Sequence, residues 1–365
     1  MLNYERIDKT RERMISEGYS ALLISSREDI KYFTGIDFYS GERLSAFMLL
    51  EDKCVFIVNK LFPQKPLEGM YIKYYDDVES PVAYISSLLE TGNCIGIDKN
   101  LQSHFLLKLM KMRSDLKYEN GSAVVDRIRM VKNPEEIEKM IAASKFNDEA
   151  MIRLTQFMEQ AVKTEEMPTE NDLVRQIAII NKELGTEGLS FEPIVCFGKG
   201  GASPHHESDT TVLSPNQGII VDMGGILNGY CSDMTRSFYF GQVTPRYKEI
   251  YEIVKEANIR AIQKVAPGVK LSQIDAAARD YITSCGYGDY FTHRTGHGIG
   301  SEVHEFPDVS AVSDVVCESG MCFSIEPGIY LPDEFGVRIE DLVCVTEDGC
   351  KVLNEYSKNL IEFNK

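Results

Sequence analysis

Long apolar runs are missing from this 365-residue chain. No stretch approaches the ~20 apolar residues of a membrane span, and the start, "MLNYERIDKTRERMISEGYS", has no apolar core of signal-peptide type. Neither a membrane-embedded nor an exported protein is expected, and the expected compartment is the cytoplasm. Positive charge is also short: 39 Lys and Arg face 56 Asp and Glu, for a formal charge of −17. A surface of that sign repels phosphate backbones and anionic lipid, so nucleic acids and membranes are not expected partners. Clustered cysteines are absent too. The nine Cys are odd in number, lack CxxC spacing and fall partly in strand-like runs such as "CVFIV", "PIVCFG" and "LVCVT". Soft-metal sites need grouped thiolates, so buried reduced thiols are expected rather than a zinc–cysteine centre.

The length predicts two domains with ample core. Residues 1–125 alternate helical and strand patterns: "YERIDKTRERMISEG", then "SALLIS", "SAFMLL" and "CVFIVN", then "CIGID" before "LQSHFLLKLMKM". That is an α/β domain around a largely buried sheet. Near residue 125 the character changes. Residues 126–365 read as α+β, with helix starts at Asn133-Pro134, at Thr169 with Asp172 three positions on, at Thr244-Pro245 and at Ser272. Strand-like runs joined as hairpins cover Ile219 to Phe240 and Met321 to Thr346.

Histidine is scarce, yet five of the six fall in two windows, "HRTGHGIGSEVHE" at 293–305 and "ASPHHE" at 202–207. Acidic residues show a matching order. The run "GIIVDMGGILNGYCSDMTRSFYF" folds back on itself around a Gly/Asn turn with Asp222 on one strand and Asp233 on the other. A Leu227-Asn228 turn sets the two carboxylates directly opposite; an Asn228-Gly229 turn shifts the register by two and keeps them on one face. Either arrangement crowds like charges, which needs a cation or a proton in compensation. In "MCFSIEPGIYLPDEFGVRIEDLVCVT", Glu326 and Glu340 are similarly placed among apolar neighbours, and an odd-length loop puts them on one face.

Unpaired buried carboxylates cost several kcal/mol, and metal ions remove that cost. Four carboxylates with one imidazole, His297, form a hard oxygen-rich set suited to Mn²⁺, Co²⁺ or Zn²⁺ pairs. Four negative charges balance two divalent ions, which predicts a two-metal centre ~3.5 Å across. Gly296, Gly298 and Gly300 are expected to let the backbone approach that cluster and to place His297 without Cβ clashes. The lysine and spacing of a phosphate loop are missing around them. His304, seven residues past His297, is too distant in sequence for an HExxH helix and is expected to donate a hydrogen bond into the site, while His293 is read as a supporting core histidine.

In order and spacing, "VDMGGILNGYCSDMTRSF", "HRTGHGIGSEVHEFP", "SIEPGIY" and "GVRIEDLVCVT" closely resemble the pita-bread metallopeptidases of the prolidase and aminopeptidase P group. "REDIKYFTGI" resembles the creatinase/prolidase amino-terminal domain and "RIRMVKNPEEIEKM" its linker, so the likeness spans nearly the whole chain. The resemblance implies an amino-terminal creatinase/prolidase-like α/β domain followed by an α+β pita-bread domain. It implies that Asp222, Asp233, His297, Glu326 and Glu340 bind two divalent metals, most simply Mn²⁺, with Asp233 and Glu340 bridging. His205 and His304 match the family's two catalytic histidines, His206 is a neighbour that relatives often replace with Gly, and Arg338 matches an arginine implicated in substrate binding or in organising the site.

The implied reaction is hydrolysis of the bond before proline in short peptides. That bond is a tertiary amide lacking an N–H, which general peptidases cannot read. Glu326 is the implied proton carrier to the leaving nitrogen. "FYSGERLSAFML" resembles the "HERL" stretch of bacterial prolidases with Gly41 in place of His, which favours a dipeptidase over an Xaa-Pro aminopeptidase acting on longer peptides. Relatives are commonly homodimers, and Arg43 of that stretch could then join Arg338 in holding a dipeptide carboxylate from the partner subunit. A creatinase-like or purely binding pita-bread protein is the remaining alternative, disfavoured because all five ligand positions are intact.

Overall fold

A computed structural model describes residues 2–364. The chain divides into two compact units that meet at Arg129 and Met130, so the helix Ser122–Arg129 that spans the expected boundary belongs to the first.

In the first unit a six-stranded mixed sheet runs in the order Met70–Tyr75, Cys54–Asn59, Ala46–Leu50, Ala21–Ile24, Cys94–Ile97, Lys117–Asn120. The central strands are buried along their whole length, which is why they read as continuous apolar runs rather than as alternations. Successive side chains point to opposite faces. Ala21 and Leu23 pack with Val82, Ile85 and Leu109 of the helices on one side. Leu22 and Ile24 pack with Ile7, Met14 and Phe33 on the other. Helices thus cover both faces, as an α/β domain requires.

The second unit is α+β. Asn133 caps the long helix Pro134–Thr164 through a reciprocal box with Glu136, and Thr169 does the same with Asp172 for Glu170–Leu184. These two helices cover a four-stranded sheet containing Ile194–Phe197, Gln217–Met223 and Met234–Phe240. A second helix pair, Pro245–Lys264 and Leu271–Ser284, covers a five-stranded sheet containing Gly296–Gly298, Cys322–Ile325 and Asp341–Val345. The latter helix starts earlier than Ser272, because the Lys270 N–H finds Gln273 Oε1 and closes the first turn one position upstream. The sheets are sewn together where Glu340 N donates to Thr235 O at 3.1 Å and the fully buried Arg236 donates to Asp341 Oδ1 at 2.7 Å. All nine cysteines are free thiols, six of them buried. No helix among the described residues is long and apolar enough to cross a membrane.

Candidate metal centre

The site grows from the two acidic hairpins. Leu227 pairs with Tyr230, so the first turns at Asn228-Gly229, whose φ values of 53° and 75° are those a two-residue hairpin turn demands of both central residues. Asp222 then faces Thr235 rather than Asp233. Of the two registers open to the sequence, the one with diagonal carboxylates is adopted, because Asn-Gly enters the left-handed region with less strain than Leu-Asn. In the second hairpin, Ile325 opposes Asp341 and Gly328 opposes Arg338 in one unbroken register, which sets Glu326 across from Glu340. The two strands part there. Glu326 N donates to Thr295 O at 2.8 Å while Glu340 N turns to Thr235, so each carboxylate projects from a seam between sheets.

His297 lies between its two glycines on a three-residue strand. A Cβ at Gly296 would stand 1.8 Å from Ser324 O, and one at Gly298 2.5 Å from Phe306 O. These glycines thus place His297 without Cβ clashes: they let neighbouring strands close on it and fix its ring. Ser324 Oγ accepts from His297 N at 3.0 Å and donates to Glu326 Oε1 at 3.2 Å. The ring Nδ1 lies 3.1 Å from Gly298 O, a contact only an N–H can make. Burial, chiefly, lowers the imidazole pKa to about 3, so the ring is neutral. Its bare Nε2 lone pair consequently faces Glu326 Oε1 at 3.4 Å and Asp233 Oδ2 at 3.8 Å.

A lone pair aimed at carboxylate oxygens repels them unless something positive lies between. The carboxylates carry the same signature. Asp222 Oδ1, Asp233 Oδ1 and Glu340 Oε1 are buried without a hydrogen-bond partner. Desolvation, reinforced by the neighbouring carboxylates, raises Asp233 and Glu340 well above the usual range, and burial raises Glu326 to about 7. Donor atoms of Asp233, His297 and Glu340 all lie within 4.8 Å of one another. The residues fit divalent cations in charge, donor type and unmet valence.

One cation is already present. Arg338, 4 % exposed, donates to Asp222 Oδ2 at 2.7 Å, to Thr235 Oγ1 at 3.2 Å and to Tyr330 Oη at 3.0 Å. All three of its nitrogens are engaged, an arrangement that favours organising the site over substrate binding, the two roles expected of it: it balances Asp222 and braces the site. Thr235 passes the order on, its hydroxyl donating to Glu340 Oε2 at 2.8 Å.

The enclosing cavity has a volume of about 480 Å³ and is lined by all five expected ligands together with His205, His304 and Arg338. The sequence matches the pattern of Metallopeptidase family M24 over residues 138–347 and that of the creatinase/prolidase N-terminal domain over residues 6–131. The chain belongs to the M24 metallopeptidases. It is 33% identical to the Bacillus subtilis protein named "Putative dipeptidase YkvY", covering 98% of this chain and 99% of that one. Among solved structures, a prolidase from Thermococcus sibiricus matches with a TM-score of 0.90 at 32% identity, covering 99% of both chains. The dipeptidase PepE from Mycobacterium ulcerans matches at 0.91 and 30%, covering 99% and 97%.

The remaining expected residues of this M24 peptidase separate. His304 sets its ring edge-on to His297, centroids 4.3 Å apart, and burial lowers its pKa. His205 lines the cavity, whereas His206 turns away and bonds Glu170 Oε2 at 2.7 Å. The fully buried Glu170 also accepts from Phe197 N and Asp209 N, so one carboxylate ties down both ends of the loop that carries His205. His293 is held between Arg294 O and Tyr330 Oη, with burial lowering its pKa to about 4. Arg43 lies in the amino-terminal unit, forked onto Asp77 at 2.8 and 2.9 Å. Thr235, Ser324, Tyr330, Glu170 and Arg294 are missed by motif reading. Thr235 and Ser324 had a signal, since each stands two residues from an expected ligand, Asp233 and Glu326, on the same strand face.

Proposed function

We propose that the protein is a dinuclear Xaa-Pro dipeptidase in which Asp222, Asp233, His297, Glu326 and Glu340 hold two divalent ions, Mn²⁺ being favoured by the carboxylate-rich set. The observation that carries this reading is three buried carboxylate oxygens without a partner, on Asp222, Asp233 and Glu340, beside a neutral imidazole whose lone pair faces the carboxylates of Asp233 and Glu326. When bound, such ions polarise a carbonyl and make water a competent nucleophile at neutral pH. The chain's own residues supply the rest.

Arg338 neutralises Asp222, and through Thr235 it fixes the face of Glu340, so the acidic groups meet substrate in set positions. Glu326, a carboxylate on the cavity wall, is suited to carry a proton to the proline nitrogen, which cannot leave as an anion. His205 and His304 line the same cavity and supply donors for the carbonyl oxygen as it gains charge. The small cavity favours a short substrate, lying in the lower half of the usual ligand-pocket range of roughly 300–1,000 Å³. The test offers the Mn²⁺-loaded protein Ala-Pro beside Ala-Pro-Ala and Ala-Ala. Faster release of alanine from Ala-Pro than from either comparison substrate supports the reading, and preference for the tripeptide replaces it with aminopeptidase activity.

A further inference from the structure

A dipeptide brings a carboxylate only one residue from the scissile bond, and it must do so in a cavity walled by acids. Two guanidinium groups line that cavity, those of Arg338 and Arg294. Each nitrogen of Arg338 already donates to a side chain of the site, which fixes its fork away from substrate. Arg294 differs: its side chain is 36% exposed, and its one recorded partner is Asp308 Oδ1, bonded through Nη1. Asp308 is itself 58% exposed and so is only a loose claimant on that charge.

The backbone beneath Arg294 is rigid. Its carbonyl accepts from His293 Nδ1 at 2.7 Å, the preceding carbonyl accepts from Arg279 Nη2 at 2.8 Å, and the following N–H donates to Val309 O at 2.9 Å. Thr295 Oγ1 adds a bond to the buried Asp275 at 2.7 Å. A fixed base with an open, planar fork is the arrangement that reads a carboxylate with both oxygens at once, and lysine cannot reproduce it.

Resting on the dipeptidase reading, we infer that Arg294 is the specificity-determining residue that recognises the free carboxylate of the dipeptide, with Asp308 holding the fork while the cavity is empty and yielding it to substrate. The position sets the preference for two-residue substrates over longer or amidated ones. Asp308 competes with the ligand it stands in for.

The test compares Ala-Pro with Ala-Pro-amide, which lacks the carboxylate, on the Mn²⁺-loaded full chain and on Arg294→Ala, Arg294→Lys and Asp308→Asn. Wild type should prefer the free acid. Arg294→Ala should lower kcat/KM on Ala-Pro by roughly tenfold to a hundredfold, mostly in KM, and leave the amide nearly unchanged. Arg294→Lys should fall between, keeping charge without the fork. Asp308→Asn should lower KM for Ala-Pro at similar kcat, because the competing charge is gone. An unchanged acid-to-amide ratio in Arg294→Ala, or no preference in wild type, overturns the assignment while leaving the dipeptidase reading intact. Wild type that cleaves neither compound sinks the dipeptidase reading itself. Thermal unfolding of each variant checks that the partly exposed position leaves the fold unaltered.

Discussion

Stripping metal from this protein should reverse the usual response of a folded domain to rising pH. Glu326 has a folded-state pKa of about 7 against an ordinary 4.5, raised chiefly by burial. Between those values the folded chain keeps a proton that the unfolded chain has lost, so stability falls as pH rises and the loss is complete just above pH 7. The difference of about 2.5 units corresponds to about 3 kcal/mol. Asp233 and Glu340 are shifted in the same direction by burial and by the neighbouring carboxylates, which steepens the fall. For a unit of this size, about 3 kcal/mol corresponds to roughly 6–12 °C in Tm. The assay is thermal or urea unfolding of chelator-treated protein from pH 5 to pH 8, following the transition of the carboxyl-terminal unit, with and without millimolar Mn²⁺. Metal should abolish the downward slope, because cations take the place of the protons. A metal-free protein as stable at pH 8 as at pH 5 would refute the reasoning, since the acids would then be satisfied by something other than protons or ions.

Substitutions divide the site by role. Asp233→Ala should be folded and nearly inactive with reduced metal content, and His297→Ala should likewise lose metal, both read by elemental analysis beside circular dichroism. His205→Ala and His304→Ala should lower turnover by roughly 10²–10³-fold with metal content unchanged, the scale of one lost transition-state donor. His206→Ala and Glu170→Gln should act only through the loop that carries His205, giving smaller losses; a deficit in His206→Ala equal to that in His205→Ala would place the donor one residue later.

Much of this architecture is written locally. Asn133 with Glu136 and Thr169 with Asp172 announce their helices because a capping box involves only residues three apart. The two acidic hairpins are legible because a strand's period of two fixes which residues share a face. What local pattern leaves open is decided by backbone preference or by distant partners. The register of the first hairpin turned on Asn228 and Gly229 accepting positive φ. Its place two before Glu340 left open whether Arg338 binds substrate or organises the site, because its partners include Asp222, 116 positions away, along with Tyr330 and Thr235. The glycines around His297 marked a close backbone approach but not what approaches, because the Ser324 and Phe306 carbonyls they make room for come from separate segments. Arg294 was hidden in plain view inside the histidine window, since only the folded cavity shows that Arg338 has every nitrogen engaged while Arg294 is bonded through Nη1 alone.

The central claim is that five side chains hold two divalent ions, and equilibrium dialysis of the metal-stripped chain against Mn²⁺, with Ala-Pro hydrolysis followed in the same samples, tests it most directly. Two ions per chain for wild type, fewer for Asp233→Ala, and hydrolysis that rises with occupancy and vanishes under chelation are the predicted results. A folded wild-type chain that binds no ion at millimolar Mn²⁺, or that cleaves Ala-Pro at full rate in excess chelator, would contradict it.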